Sequence, residues 1–256
     1  MLAALSLCLL FSFSCVSGLC YSDSYDNVVA REERIRRLFR EKEGRNPQKV
    51  KKFGTHNLTF SLSRFKSIGK NGGWDIDETT YYYLDEGLAI AIFSLIHHQS
   101  LLTFGAGKGH YELFLEELGY TGSRYSLDAA PSVENLTRGV VHFGDLSQPL
   151  SLQPHDWVLC IEVAEHIPPQ YESTFMSNIV KHAKYGAIIS WAPRQQRGHG
   201  HVNLKSREDV LTLFNSYGFK VCNDLTKLLG LRSNIPYLSR NTLVLLPQDC
   251  SCPSKF

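Results

Sequence analysis

Glu162, Glu165 and His166 stand at i, i+3 and i+4 in the run CIEVAEHIPP. A helical turn there would project all three from one face. Two carboxylates and an imidazole converging in this way can hold a divalent cation and leave positions open for substrate oxygens. The same residues carry a second reading, with Glu162 contacting a bound cofactor, Glu165 capping a helix and His166 packed. Further along, the polar run SWAPRQQRGHGHVN offers His199 and His201. His199 or His201 could serve as a fourth ligand or a general base, with His201 the candidate carried forward, and His166 is a further candidate general base. A loop histidine in solvent is the plainer reading of both His199 and His201.

A second constellation lies upstream. Gly105, Gly107 and Gly109 follow the apolar run at 101–104 and precede a helical pattern. The spacing is G-x-G-x-G. A dinucleotide fingerprint needs its third glycine one place later, where this chain has His110, and no Gly-Lys-Ser/Thr phosphate loop is present. A bare backbone running into a helix N-terminus lets a ligand approach closely and favours an anionic group. Asp128 ends the next strand, placed to accept from two ribose hydroxyls, and Asp145 ends the third, placed to accept from an adenine amino group. Each aspartate alone reads as well as a turn or cap residue. Acidic residues at successive strand ends, in register with a glycine loop, argue for a cofactor crevice.

These residues need a sheet to line them up. Short apolar strands are expected at 101–104, 125–127, 139–143, 157–161, 186–191, 219–222 and 242–246, with helical or loop segments between them. Leu84, Leu88, Ile92, Leu95 and Ile96 suggest a helix within 77–98, and the 3.6-residue pattern predicts others at 110–118 and 207–217, the latter opening with Ser206-x-x-Asp209 and stopping at Gly218. Such alternation predicts an α/β fold, a doubly wound, mostly parallel sheet with helices on both faces. Before it, a charged helix carries Ile35, Leu38 and Phe39 as a thin apolar stripe. The expected organisation is a signal peptide or signal anchor at 1–19, an N-terminal helical extension at 20–76, the α/β domain at 77–247 and a cysteine-containing tail at 248–256.

The glycine loop, Asp128, Asp145 and EVAEHIP together resemble the class I S-adenosylmethionine-dependent methyltransferases, most closely small-molecule O-methyltransferases of the ubiquinone-biosynthesis type. The resemblance covers roughly residues 80–246. It implies a Rossmann-like seven-stranded sheet closed by a reversed strand pair, with S-adenosylmethionine as cofactor. Gly105, Gly107 and Gly109 would back its methionine part, Asp128 its ribose, Asp145 and Leu146 its adenine, with Glu162 also beside it. Glu-x-x-Glu-His further implies magnesium or manganese on Glu162, Glu165 and His166. The implied reaction is methyl transfer to a small hydroxylated or aromatic acceptor, with Trp74, Tyr81, Tyr82 and Tyr83 as lid or packing residues. One position departs from the pattern: the family usually has an acidic residue two places before the first glycine, where this chain has Thr103. That departure keeps a second reading open, a catalytically inactive secreted binding or scaffold protein on the same fold.

The remaining signals concern address. Residues 1–19 carry no charged side chain and run apolar into small residues, which resembles a secretory signal. Asn57-Leu58-Thr59 and Asn135-Leu136-Thr137 are glycosylation acceptors of a secreted chain. After cleavage following Gly18, Cys20, Cys160, Cys222, Cys250 and Cys252 remain. Cys160, in an apolar run, is expected as a buried free thiol. The other four allow three pairings, and the tail is expected to be stapled to the body. The net charge of +2 with mixed signs gives no reason to expect nucleic acid, and no stable membrane span is expected once the signal is removed. The expected location is the secretory pathway or outside the cell.

Overall fold

The computed structural model describes residues 20–43, 51–53, 67–78, 80 and 82–253. The 1–19 segment, Asn57 and Tyr81 lie outside them. Two short strands, β1 (Lys51–Phe53) and β2 (Tyr82–Leu84), pair antiparallel. The main sheet is built from β3 (Leu101–Phe104), β4 (Arg124–Asp128), β5 (His142–Phe143), β6 (His155–Cys160), β7 (Ala183–Ile189), β8 (Phe219–Val221) and β9 (Leu243–Pro247). Its order is β5-β4-β3-β6-β7-β9-β8, with β9 antiparallel to both neighbours. The expected seven-stranded, mostly parallel sheet is therefore present. All seven strands lie where the apolar runs predicted them, with ends moved by up to three residues.

Alternation along the strands divides the core. Leu101, Trp157, Leu159 and Ile188 face one side, against α2 (Glu86–Ile96) and α7 (Asn223–Arg232). Leu102, Val158, Cys160 and Ile189 face the other, against α5 (Glu172–His182) and α6 (Arg207–Ser216). Successive strand residues point to opposite faces, so both faces are covered and the central strands β3, β6 and β7 are largely apolar. Every residue of α2 is buried.

The sequence pattern suggested one helix within 77–98. The chain instead makes β2 and then α2, because Asp85 interrupts it. The Asp85 side chain accepts from Leu88 N at 2.9 Å as the N-cap, and also from Ser233 Oγ, Asn234 N and Ile235 N at 2.6, 2.8 and 3.0 Å. That buried carboxylate ties α2 to the turn between α7 and α8 (Pro236–Asn241).

Helix α1 (Tyr25–Glu43) docks differently from the expected apolar stripe. Leu38 is 49% exposed and Ile35 only half-buried, while Val28 and Glu32 are fully buried. Glu32 pairs with Arg36 and, at 3.2 Å, with Arg232 of α7. Arg31 Nε donates to Ser94 O at 3.0 Å and Tyr21 Oη to Leu95 O at 2.9 Å. Two disulfides complete the join, Cys20–Cys250 and Cys222–Cys252, and Cys160 is free and buried. Among the described residues, no helix is long and apolar enough to cross a membrane.

Candidate functional site

The strand order reverses at β3: the chain moves outward through β4 and β5, then returns to add β6 on the other side. Parallel α/β sheets open a crevice at the carboxyl ends of the strands where this happens. A cavity of about 340 Å³ lies there, lined by Gly105, Gly107, Asp128, Asp145, Leu146, Glu162, His166 and His201. That volume is in the range of small-molecule sites. Of the sequence candidates, Gly109 and Glu165 do not line it. Gly109 is the N-cap of α3 (His110–Glu117), and Glu165 is fully buried.

The loop needs its glycines. Gly105, Gly107 and Gly109 all have positive φ, at 68°, 54° and 71°, a region costly for residues with a Cβ. A Cβ at Gly105 would also collide with Val163, and one at Gly107 would lie 3.0 Å from the Tyr82 ring. Asp128 is fastened to this loop. Its Oδ2 accepts from Gly107 N at 2.8 Å and its Oδ1 from Ala130 N at 2.9 Å. Each oxygen keeps a second lone pair for a ligand hydroxyl. Burial raises the Asp128 pKa, and backbone donors oppose the shift. Tyr82 lies over this end; burial, then the Asp128 charge, raises its phenol pKa. Asp145 Oδ1 accepts from Ser147 N at 2.9 Å, forming a turn at the neighbouring strand end.

The carboxylate–histidine segment leaves β6 at a strained residue. Glu162 has φ +55°, unusual for a residue with a side chain. It is held there by Ser190, whose Oγ accepts from Glu162 N at 2.7 Å and donates to Glu162 Oε1 at 2.8 Å. Gln196 Nε2 donates to Glu162 Oε2 at 2.9 Å. A single 3₁₀ turn, Ala164–His166, follows. Burial holds the Glu162 carboxyl above its usual range, and raises Glu165 well above it, with the Glu162 charge as the second cause. Among the described residues neither buried Glu165 oxygen makes a hydrogen bond of normal geometry, although the Glu162 carboxyl and the Ala192 backbone both act on the group.

His201 is brought to this turn by the loop after β7. Val202 N and Asn203 N both donate to Glu165 O at 2.9 Å, and Trp191 Nε1 donates to Asn203 O at 2.6 Å. Gly198 leaves space for the His201 ring, which any Cβ there would strike. The result is a cluster of Glu165, His166 and His201 whose ligand-capable atoms lie within 4.8 Å of one another. Sequence spacing grouped Glu162 with Glu165 and His166. The structure groups His201 with them instead, while both Glu162 oxygens are engaged by Ser190 and Gln196.

Both imidazoles have a fixed tautomer. His166 Nδ1 lies 3.1 Å from Gly200 O and His201 Nδ1 lies 2.9 Å from Gln196 O. A carbonyl only accepts, so Nδ1 is the donor in each ring, and the neutral form of either ring keeps its lone pair on Nε2. Burial, then the neighbouring His201, lowers the His166 pKa to about 4, so the ring is neutral at pH 7. Trp74 packs edge-on against His166 at 5.0 Å, and His199 is exposed beside Trp74.

No family model matches the chain, and no curated protein is similar to it. Solved structures of similar shape include magnesium protoporphyrin IX methyltransferase of Synechocystis PCC 6803, at 16% identity over 61% of this chain and 80% of that one, with a TM-score of 0.46. The 1,6-didemethyltoxoflavin-N1-methyltransferase of Burkholderia thailandensis is 15% identical over 64% of this chain and 77% of that one, TM-score 0.45. The CcbJ methyltransferase of Streptomyces caelestis is 12% identical over 64% and 90%, TM-score 0.48. Likenesses of this degree carry no substrate across.

Proposed function

We propose that the chain is an S-adenosylmethionine-dependent methyltransferase acting on a small hydroxylated or aromatic acceptor, with a divalent cation, magnesium or manganese, at Glu165, His166 and His201. The observation that carries the reading is the glycine loop fastened to Asp128 at the strand-order reversal. Its positive φ angles keep the backbone bare, and the Asp128 carboxylate retains acceptor capacity beside a cavity of suitable size. The bound donor supplies a methyl group on a sulfonium and leaves as a neutral thioether. The buried, unpartnered Glu165 carboxylate beside two Nε2 lone pairs suits a cation, whose positive charge would acidify an acceptor hydroxyl.

The chain's own residues have separable tasks. Asp128 binds the ribose, while Asp145 and Leu146 border the adenine. Trp74 and Tyr82 exclude water from the cavity mouth. Without a cation, His166, neutral at pH 7, or His201 takes the acceptor proton at Nε2. With a cation held on both Nε2 atoms, the acidified acceptor hydroxyl loses its proton to water. Alignment of acceptor and donor supplies the rest of the rate. A second reading, an inactive secreted binding or scaffold protein, draws on Thr103 standing where the family has a carboxylate. The signal-like first 19 residues and the two disulfides support a secretory or extracellular location.

Calorimetric titration of S-adenosylmethionine tests the proposal, with manganese and with chelator, on the wild type and Asp128→Ala. Removing a charged acceptor of two hydroxyls is expected to weaken binding at least tenfold to a hundredfold. Absence of binding to the folded wild type in both buffers overturns it in favour of the second reading.

A further inference from the structure

Glu112 belongs to neither of the groups described above. It lies on α3, is 3% exposed, and is among the residues lining the cavity. Thr103 and Ser126 are register partners on the adjacent strands β3 and β4. Both are short and hydroxylated, and they leave room for a longer side chain from the helix. Ser126 Oγ donates to Glu112 Oε1 at 3.1 Å. The other oxygen, Oε2, is buried and makes no hydrogen bond of normal geometry among the described residues, although the Thr103 hydroxyl is near enough to act on the carboxylate. Among the described residues, no cationic side chain hydrogen-bonds this carboxylate. Arg124, the nearest candidate, spends its guanidinium on the Glu112 backbone carbonyl at 2.7 Å and on Glu116 at 3.2 Å.

A buried carboxylate oxygen without a donor is costly, and a cavity-lining one is naturally completed by a ligand. The loop that this carboxylate sits behind turns at Gly109, where a Cβ would lie 3.8 Å from Oε2. We infer that Glu112 holds the ammonium group of the donor's amino-acid end, so that a carboxylate delivered from α3 does the work for which Thr103 has no charge. The inference rests on the donor reading and extends it to a residue that reading does not use. Burial raises the Glu112 pKa, while the hydroxyls of Thr103 and Ser126 favour the charged form. A bound ammonium would add to the second effect.

The test compares two ligands that share the adenosine and the thioether and differ in the amino-acid group. S-Adenosylhomocysteine has the ammonium, and 5′-methylthioadenosine lacks it. Dissociation constants are measured by calorimetry for the wild type and Glu112→Gln. The substitution keeps the shape and removes the charge. S-Adenosylhomocysteine is expected to bind about ten- to a hundredfold more weakly, the scale of one charge-assisted hydrogen bond, with methylthioadenosine unchanged within about twofold. An equal loss for both ligands, or no loss for either, overturns the assignment. Failure of both ligands to bind the wild type instead overturns the donor reading. Should Glu112→Gln not fold, the transposed pair Thr103→Glu with Glu112→Thr returns a carboxylate to the same pocket and is expected to keep the wild-type ratio of the two affinities. A ratio collapsed to that of a ligand pair indifferent to the ammonium overturns the assignment.

Discussion

Glu165→Gln separates a cation site from a packed acidic residue. In the metal-free protein the Glu165 carboxyl is fully buried, makes no hydrogen bond of normal geometry among the described residues, and is held well above its usual pKa by burial and by Glu162. An ionised carboxylate so placed would cost several kcal/mol, so in the absence of metal burial and the Glu162 charge favour the neutral form. Glutamine has nearly its shape and no charge. The substitution is therefore expected to change the stability of the metal-free protein by less than about 1 kcal/mol. A cation gains its ligands only in the folded chain, because Glu165 and His201 converge through the loop after β7. At a manganese concentration one hundred times its dissociation constant the wild type should gain about 2.7 kcal/mol. For a domain of this size that is a rise of roughly 5–11 °C in melting temperature. Thermal unfolding followed with manganese and with chelator reads both quantities. Glu165→Gln should lose the manganese-dependent rise and keep the chelator value, and His201→Ala should lose most of the rise. Equal stabilisation of wild type and Glu165→Gln by manganese would refute the assignment. So would a Glu165→Gln protein that melts far below the wild type in chelator.

Two further outcomes follow from burial and covalent links. Burial, then Lys108, depresses the His110 pKa to about 4. The unfolded chain takes up a proton near pH 6.5 and the folded chain does not, so His110 costs nothing above that pH and stability falls as the pH drops from about 6.5 towards 4. The loss is up to about 2 kcal/mol at pH 5, reduced by whatever solvent reaches the ring. Urea unfolding at pH 7 and pH 5 should show His110→Asn to be less acid-sensitive than the wild type, and identical pH dependence would refute the assignment. Cys20→Ser releases the tether between the start of the described chain and the tail at Cys250. It is expected to cost about 2–4 kcal/mol in non-reducing denaturation, and an unchanged midpoint would show that the Glu32–Arg36–Arg232 network and Tyr21 suffice to hold α1.

What the chain order discloses and what it conceals divide along a physical line. Strands buried on both faces are short apolar runs whatever surrounds them, so β3, β6 and β7 are legible from residue type alone. The glycine loop is legible because positive φ restricts its residue choice, and Asp128 because a strand tip is a definable place. Features created when the chain returns from elsewhere are not legible. His201 reaches the Glu165 turn only because two backbone donors after it close on one carbonyl, and its spacing from His166 holds no trace of that. Asp85 looks like one more residue in a helical pattern until Ser233 and Ile235 arrive to make it a buried cap. The left-handed Glu162 depends on Ser190, just beyond the end of β7. Thr103 shows the consequence for function: reading one motif position finds no carboxylate and suggests a lost activity. Yet the register partner of Thr103 is Ser126, and those two short side chains are what admit Glu112 from α3. The charge available to a cavity is set by which atoms reach it, and a helix one loop later can supply what the strand lacks.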